Sequence, residues 1–290
     1  MTFAKGGTYP RANFLVDGSL IGAYAATVGE DKSLTLVKST DDSASWSFLG
    51  TAATRPTASS DLENPYPLQL PGGRVLLAYR NHDKDPDSGE STAFRITVSY
   101  SDDIGANWEF LFDAATTTAE FGFWEPLLRS AQGGSLQIYY SRETSLDDQD
   151  SIERSSPLME KRTAVFESLQ CGSFQLGSVA SPDDGKTWDN RRTVYLPTGT
   201  NNNAGTPQVV NVGGTLYVHF MTDEGTQLHD WINGAGAKLI TPGDDGSTWD
   251  NQIEVFTPQA NWPGMVALND SSLLYMADKN GAKGHKIVLS

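Results

Sequence analysis

The sequence predicts an all-β chain of 290 residues folded as a six-bladed β-propeller, a single domain over 1–290 with one abbreviated blade near residues 150–165. Three observations predict it. A short Asp-containing turn recurs four times, a turn followed by an apolar strand recurs in counterpoint with it, and no long helical periodicity occurs anywhere.

The first repeat occupies residues 39–46 (Ser-Thr-Asp-Asp-Ser-Ala-Ser-Trp), 101–108 (Ser-Asp-Asp-Ile-Gly-Ala-Asn-Trp), 181–188 (Ser-Pro-Asp-Asp-Gly-Lys-Thr-Trp) and 242–249 (Pro-Gly-Asp-Asp-Gly-Ser-Thr-Trp). This is the Asp-box pattern Ser-x-Asp-x-Gly-x-Thr-Trp, matched at every position by the third copy. An Asp in a tight turn accepts hydrogen bonds from nearby backbone N–H groups, Gly supplies a positive φ, and Trp buries a large apolar area beneath the hairpin. The boxes are therefore expected to hold hairpins together and to take no part in chemistry.

The second repeat occupies residues 17–24 (Asp-Gly-Ser-Leu-Ile-Gly-Ala-Tyr), 72–79, 133–140, 213–220 and 269–276. Each is a turn followed by a run apolar on both faces, as expected for a strand packed between neighbouring sheets. Steps between these turns are 55 residues (17 to 72), 61 (72 to 133), 80 (133 to 213) and 57 (213 to 270, the Asp after Asn269). The long step holds one more buried-strand candidate, residues 163–168, and no Asp-box lies between Trp108 and Ser181. Six buried strands imply six blades, one of them shortened.

A net charge of −15, with the 36 acidic residues spread out, argues against nucleic acid or an anionic membrane as partner. It suits a neutral or cationic ligand and a monomer. Cys171 stands alone, so no internal disulfide is possible, and a lone Cys is more often a small buried hydrophobe than a nucleophile. The four histidines are far apart and no spacing suggests zinc, so neither a metal nor a cofactor is expected. No stretch approaches a membrane span, and the first residues contain no apolar signal core.

Two glutamates differ from the solvated majority. Glu125, in Phe123-Trp124-Glu125-Pro126, and Glu167, in Ala164-Val165-Phe166-Glu167, are single carboxylates in apolar or aromatic strands. Each either ends a strand half exposed or is buried for use, because burial costs several kcal/mol unless the charge is paired. A facing pair of carboxylates is what glycoside hydrolysis requires. Polar and aromatic clusters flank the inner strands and suit sugar recognition, among them Tyr9-Pro10-Arg11, Glu63-Asn64-Pro65-Tyr66, Arg80-Asn81-His82-Asp83, Asp148-Gln149-Asp150, Asn201-Asn202-Asn203, Thr222-Asp223 and Asn261-Trp262-Pro263-Gly264. His82 either contacts ligand or holds structure by hydrogen bonds.

The Asp-boxes resemble those of the sialidase-like superfamily. The segments between them resemble family 93 glycoside hydrolases over nearly the whole chain. They include Asn64-Pro65-Tyr66, Tyr79-Arg80-Asn81-His82-Asp83, Trp124-Glu125-Pro126, Tyr139-Tyr140-Ser141-Arg142-Glu143, Val165-Phe166-Glu167, Asn202-Asn203-Ala204-Gly205, Phe220-Met221-Thr222-Asp223-Glu224 and Leu274-Tyr275-Met276. The resemblance implies a secreted, six-bladed exo-α-1,5-L-arabinanase that releases arabinobiose and retains anomeric configuration, its signal peptide not present in this chain. It implies Glu125 as acid/base, Glu167 as nucleophile and Tyr275 in support of the nucleophile. Arg11, Asn64, Arg80, His82, Trp124, Tyr140, Asp150, Asn203, Asp223 and Trp262 are the expected binders of arabinan or an arabino-oligosaccharide.

One departure bears on this expectation. Where the family carries an Asp-box hairpin and the next inner strand, this chain has only residues 151–162, and that segment lies between the two glutamates. An inactive or carbohydrate-binding relative, and a true sialidase, are the alternative readings; for the latter only Arg11 fits the expected arginine triad.

Overall fold

The computed structural model describes residues 2–118, 120–145, 148–150, 153–155, 162–170, 172–199, 201–226, 230–243 and 248–289. They form antiparallel sheets, and the only helix among them is α1 (Trp231–Gly234). The first sheet is β1 (Thr8–Phe14), β2 (Leu20–Val28), β3 (Asp31–Ser39) and β4 (Ser47–Pro56), hydrogen-bonded in chain order. The second is β5 (Ser60–Gln69), β6 (Val75–Lys84), β7 (Ser91–Ser101) and β8 (Glu109–Thr117). The third contains β9 (Phe123–Ser130), β10 (Leu136–Ser145) and β11 (Asp148–Asp150). The fourth runs β12 (Glu153–Ser155), β13 (Arg162–Gln170), β14 (Ser173–Ser181) and β15 (Asp189–Tyr195). The fifth runs β16 (Ala204–Val212), β17 (Thr215–Thr222), β18 (Gly236–Pro242) and β19 (Trp249–Phe256), and the last β20 (Asn261–Asn269), β21 (Ser272–Asp278) and β22 (Ala282–Val288).

Burial grades across each sheet. The second strands are the apolar runs singled out in the sequence, and Leu20, Ile21, Leu76, Leu77, Leu273 and Leu274 are at most 1% exposed. The fourth strands face solvent, with Phe48 and Phe110 largely exposed. A strand apolar on both faces has to be covered on both faces, and this sets the second strands deepest.

The chain divides into two compact units, Met1–Glu143 with Asn280–Lys283 and Thr144–Lys279 with Gly284–Ser290. In the first, Leu15, Ile21, Leu34, Leu36, Leu62 and Leu77 form one core, against which Trp108 packs. In the second, Val165, Leu176, Val209, Val218 and Phe220 form one cluster, and Leu239, Phe256, Leu273 and Tyr275 belong to another.

The expected six blades are corrected to five. Four sheets carry four strands, and the β20–β22 sheet is completed by the N-terminal segment, where Thr2 bridges Lys283 and the amides of Phe3 and Ala4 donate to the Ala282 carbonyl at 2.9 and 3.0 Å. The β9–β11 sheet has no fourth strand. Only residues 151 and 152 separate β11 from β12, so no chain is left for an outer strand, and β11 and β12 have three residues each. The shortening expected over 150–165 falls at this junction.

Three Asp-containing turns share one hydrogen-bond pattern. Ser39, Ser101 and Ser181 each donate to the Asp two residues on, at 2.8, 2.8 and 2.9 Å. The Ser oxygens accept the amides of Ser43, Gly105 and Gly185 in return. The carboxylates also accept the amides of Ser45, Asn107 and Thr187 at 2.9, 2.8 and 2.8 Å. Residues 244–247, half of the fourth copy, lie outside the described residues.

Hydrogen bonds from Ser45, Asn107 and Thr187 hold Asp41, Asp103 and Asp183 at about 2, against an ordinary 3.8. These groups bind protons less readily folded than unfolded, so their contribution is complete above pH 3.8 and is lost as pH falls towards 2. Asp183→Ala is expected to lower Tm at neutral pH, with the deficit vanishing at the acid end. Thermal unfolding of both proteins across that window checks it; a deficit independent of pH would refute the role given to the carboxylate.

Candidate active site

One backbone irregularity recurs in the first strands. Tyr9, Asn64, Glu125, Thr206 and Trp262 all have a left-handed φ, of 52°, 52°, 47°, 53° and 49°, and each precedes a proline. At each of these points the pairing with the second strand slips: between Thr8 and Arg11, Glu63 and Tyr66, Trp124 and Leu127, Gly205 and Gln208, and Asn261 and Gly264. A bulge inserts an unpaired residue, bends the strand and re-aims a side chain. Proline suits it, having no N–H to leave unpaired. Non-glycine residues held at positive φ cost about 1–3 kcal/mol each and cluster where function requires them.

In the first unit, three successive bulges carry Tyr9, Asn64 and Glu125. The Asn64 amide nitrogen lies 3.5 Å from Glu125 Oε1. Burial pushes the Glu125 carboxyl up from its ordinary value, opposed by the charges of Arg11 and Arg80. Arg11 is 5% exposed and donates to the Pro10 carbonyl at 3.1 Å. The Arg80 guanidinium is spent on Glu63 at 2.9 Å and Asp61 at 3.0 Å, and lies over the rings of Trp124 and Tyr9, 4.8 and 5.5 Å from their centroids. Lys32 adds a second cation to Glu63. Burial raises the Tyr9 phenol well above its usual range, so it stays neutral. Three buried atoms, Asn64 Oδ1, Arg80 Nε and Trp124 Nε1, have no hydrogen-bond partner. Orphaned polar atoms around a carboxyl group are what a polar, hydroxyl-rich ligand would satisfy.

His82 lies in the interior. It is fully buried, its Nε2 pairs with the Phe123 carbonyl at 2.9 Å, and its ring meets Phe94 and Trp124 edge-on at 4.8 and 5.0 Å. It packs behind Trp124 and ties down the residue two before Glu125. Tyr140 is half-buried and packs edge-on against Phe123 at 5.3 Å.

In the second unit, the Thr206 amide donates to Glu167 Oε2 at 2.6 Å. Asn203 accepts the Phe174 amide at 3.0 Å and gives its own amide to the fully buried Asp223 at 2.6 Å. The Phe174 and Trp231 rings stack at 6.3 Å. Trp262 is half-buried at its bulge. Tyr275 is fully buried, packs against Phe256 and His219, and its hydroxyl donates to the Lys238 carbonyl at 2.9 Å. The Asp150 side chain lies outside the described residues.

No protein-family model matches the sequence, and no curated protein matches it significantly. Solved structures do. The Penicillium chrysogenum α-L-arabinanase, solved with arabinobiose, superposes with a TM-score of 0.68 at 15% identity, over 99% of this chain and 94% of that one. The family 93 α-L-arabinofuranosidase of Fusarium graminearum, also with arabinobiose, gives 0.66 at 18%, over 97% and 93%. The NanB sialidase of Streptococcus pneumoniae gives 0.65 at 9%, over 99% of this chain and 68% of that one. The fold is the sialidase-like β-propeller. No helix among the described residues is long and apolar enough to cross a membrane, and no group of metal-binding side chains occurs among them.

Sequence reasoning missed Thr206 and Trp231. The signal for the first was available, as a residue-proline pair recurring in five first strands, but Thr206-Pro207 sits among ordinary polar residues and drew no notice. Trp231 lies on α1, in a hairpin between β17 and β18 with no repeat to compare it with.

Burial, reinforced by the Arg80 charge, lowers His82 from 6.5 to about 4. The unfolded chain therefore takes up this proton first, and stability should fall as pH drops from 6.5 towards 4, by roughly 3 kcal/mol at 1.36 kcal/mol per pKa unit. His82→Gln should flatten that limb of the stability–pH curve, measured by urea unfolding. An unchanged limb would place the titration elsewhere.

Proposed function

We propose that this protein is a retaining glycoside hydrolase that releases arabinobiose from α-1,5-L-arabinan, with Glu125 as acid/base and Glu167 as nucleophile. The settings of the two carboxyl groups support it. Burial favours the protonated form of Glu125, which is the form that donates a proton. Glu167 accepts a backbone N–H at 2.6 Å, which fixes one oxygen of the carboxylate proposed to attack.

In the first step a Glu167 oxygen bonds to the anomeric carbon. The glycosidic C–O bond breaks, and the departing oxygen takes the Glu125 proton. In the second, water gives a proton to the Glu125 carboxylate while its oxygen displaces Glu167 from the anomeric carbon. The arabinobiose complexes of the arabinanase and arabinofuranosidase supply the choice of sugar. Arg11, Asn64, Trp124, Asn203, Asp223 and Trp262 remain the proposed sugar-contacting set, and a secreted monomer suits a polymeric substrate.

Linear arabinan incubated with the wild type should yield arabinobiose, with the retained anomer seen first by NMR. Glu125→Ala and Glu167→Ala should each slow release by about 10²- to 10⁴-fold. Equal rates in all three proteins would refute the assignment. The three-strand sheet that carries Glu125 favours a second reading, a carbohydrate-binding propeller without turnover. Arabinan binding by calorimetry with no product would establish that reading instead.

A further inference from the structure

We propose that Gly205 and Thr206 form a seat that fixes the Glu167 carboxylate, with Gly205 as a positioning residue. This rests on Glu167 acting as the nucleophile. Gly205 is absent from the positive-φ positions, so its backbone conformation does not call for glycine. What it lacks is a side chain, and the space is taken. A Cβ at 205 would overlap Glu167 Oε2 and lie 3.1 Å from Trp231 Cζ2. The carboxylate thus packs directly on the Gly205 backbone, beside the indole.

The next residue supplies the bond. Thr206 adopts φ 53° at the β16 bulge and donates its amide to Glu167 Oε2 at 2.6 Å. Pro207 follows, without an N–H of its own. The Thr206 side chain is 4% exposed and its Oγ1 has no partner, so the residue contributes through its backbone. A donor and a close-packed surface together confine one carboxylate oxygen.

The group that an added methyl would strike is the end of a flexible side chain. Gly205→Ala should therefore displace the Glu167 carboxylate and leave the strand in place. Gly133, in a turn where a Cβ meets nothing, is the control. Gly205→Ala is expected to keep the wild-type Tm and a KM within a few-fold, while kcat on a linear arabino-oligosaccharide falls about 100-fold, the cost of an ångström-scale misplacement. Gly133→Ala should change neither. Unaltered kcat in a folded Gly205→Ala protein would overturn the seat.

A second measurement needs neither turnover nor that variant. In the 15N–1H spectrum the Thr206 amide should lie far downfield in the wild type and move upfield in Glu167→Gln, as its charged acceptor becomes neutral. No movement would overturn the proposal, including where Gly205→Ala fails to fold. If the wild type does not cleave arabinan but this amide still responds, the arabinanase reading falls and the seat stands.

Discussion

The site depends on a backbone constraint, the left-handed residue before proline in the first strands. Five such residues, at about 1–3 kcal/mol each, are a sizeable strain. It is sustained because regular pairing resumes on either side of each slip. Leu20, Leu76, Leu77 and Leu273, in the second strands that hold β1, β5 and β20, are at most 1% exposed. A relaxed bulge would cost ladder hydrogen bonds and core contacts together. The deviation serves both proposed catalytic groups by different means: Glu125 is itself the strained residue, whereas Glu167 lies on β13 and takes its hydrogen bond from the strained Thr206.

Charge is distributed to match. Near Glu125 the Arg80 guanidinium is already committed to Asp61 and Glu63, and Lys32 also answers Glu63. The pull of Arg80 on Glu125 is therefore partial, and burial prevails in setting its protonation. The aromatic faces that hold the Arg80 guanidinium, Tyr9 and Trp124, come from residues at and beside two bulges, so the same deformation that places Glu125 builds the cage next to it. Buried ion pairs are weak evidence of stability. Here the Arg80 cluster is better understood as fixing Trp124 and the strand that carries Glu125.

Much of the fold was legible in the sequence because it rests on short-range rules. The Asp-containing turns carry their hydrogen bonds within a few residues, and the doubly apolar runs mark the second strands without reference to anything distant. The blade count failed at the β9–β11 sheet, where too little chain separates β11 from β12 for an outer strand, and the closure of the last sheet was hidden because its pairing is long-range. The contribution of the N-terminal segment at Lys283 joins the two ends of the chain, and periodicity does not report it. The glutamates stood out as lone carboxylates in apolar strands. The surroundings of His82 and Tyr275 were not legible for one shared reason: a polar side chain near a motif looks the same in sequence whether its hydrogen-bond partner is a ligand or a backbone carbonyl. The Phe123 and Lys238 carbonyls that take these groups belong to other strands.

The repeat that announces the fold and the repeat that builds the site occupy different strands. The Asp-containing turns join third to fourth strands, where side chains are exposed and their carboxylates are held ionised by turn amides. The proline bulges lie in first strands, where side chains are buried and burial drives Glu125 the other way. The turn carboxylates and those proposed to react therefore draw on different donors. This separation explains how the β9 sheet can lack a fourth strand, and with it the position of an Asp-containing turn, and still present Glu125 with its bulge intact. What the shortening removes is support at the solvent side of a sheet, two strands away from the one that carries the carboxyl group.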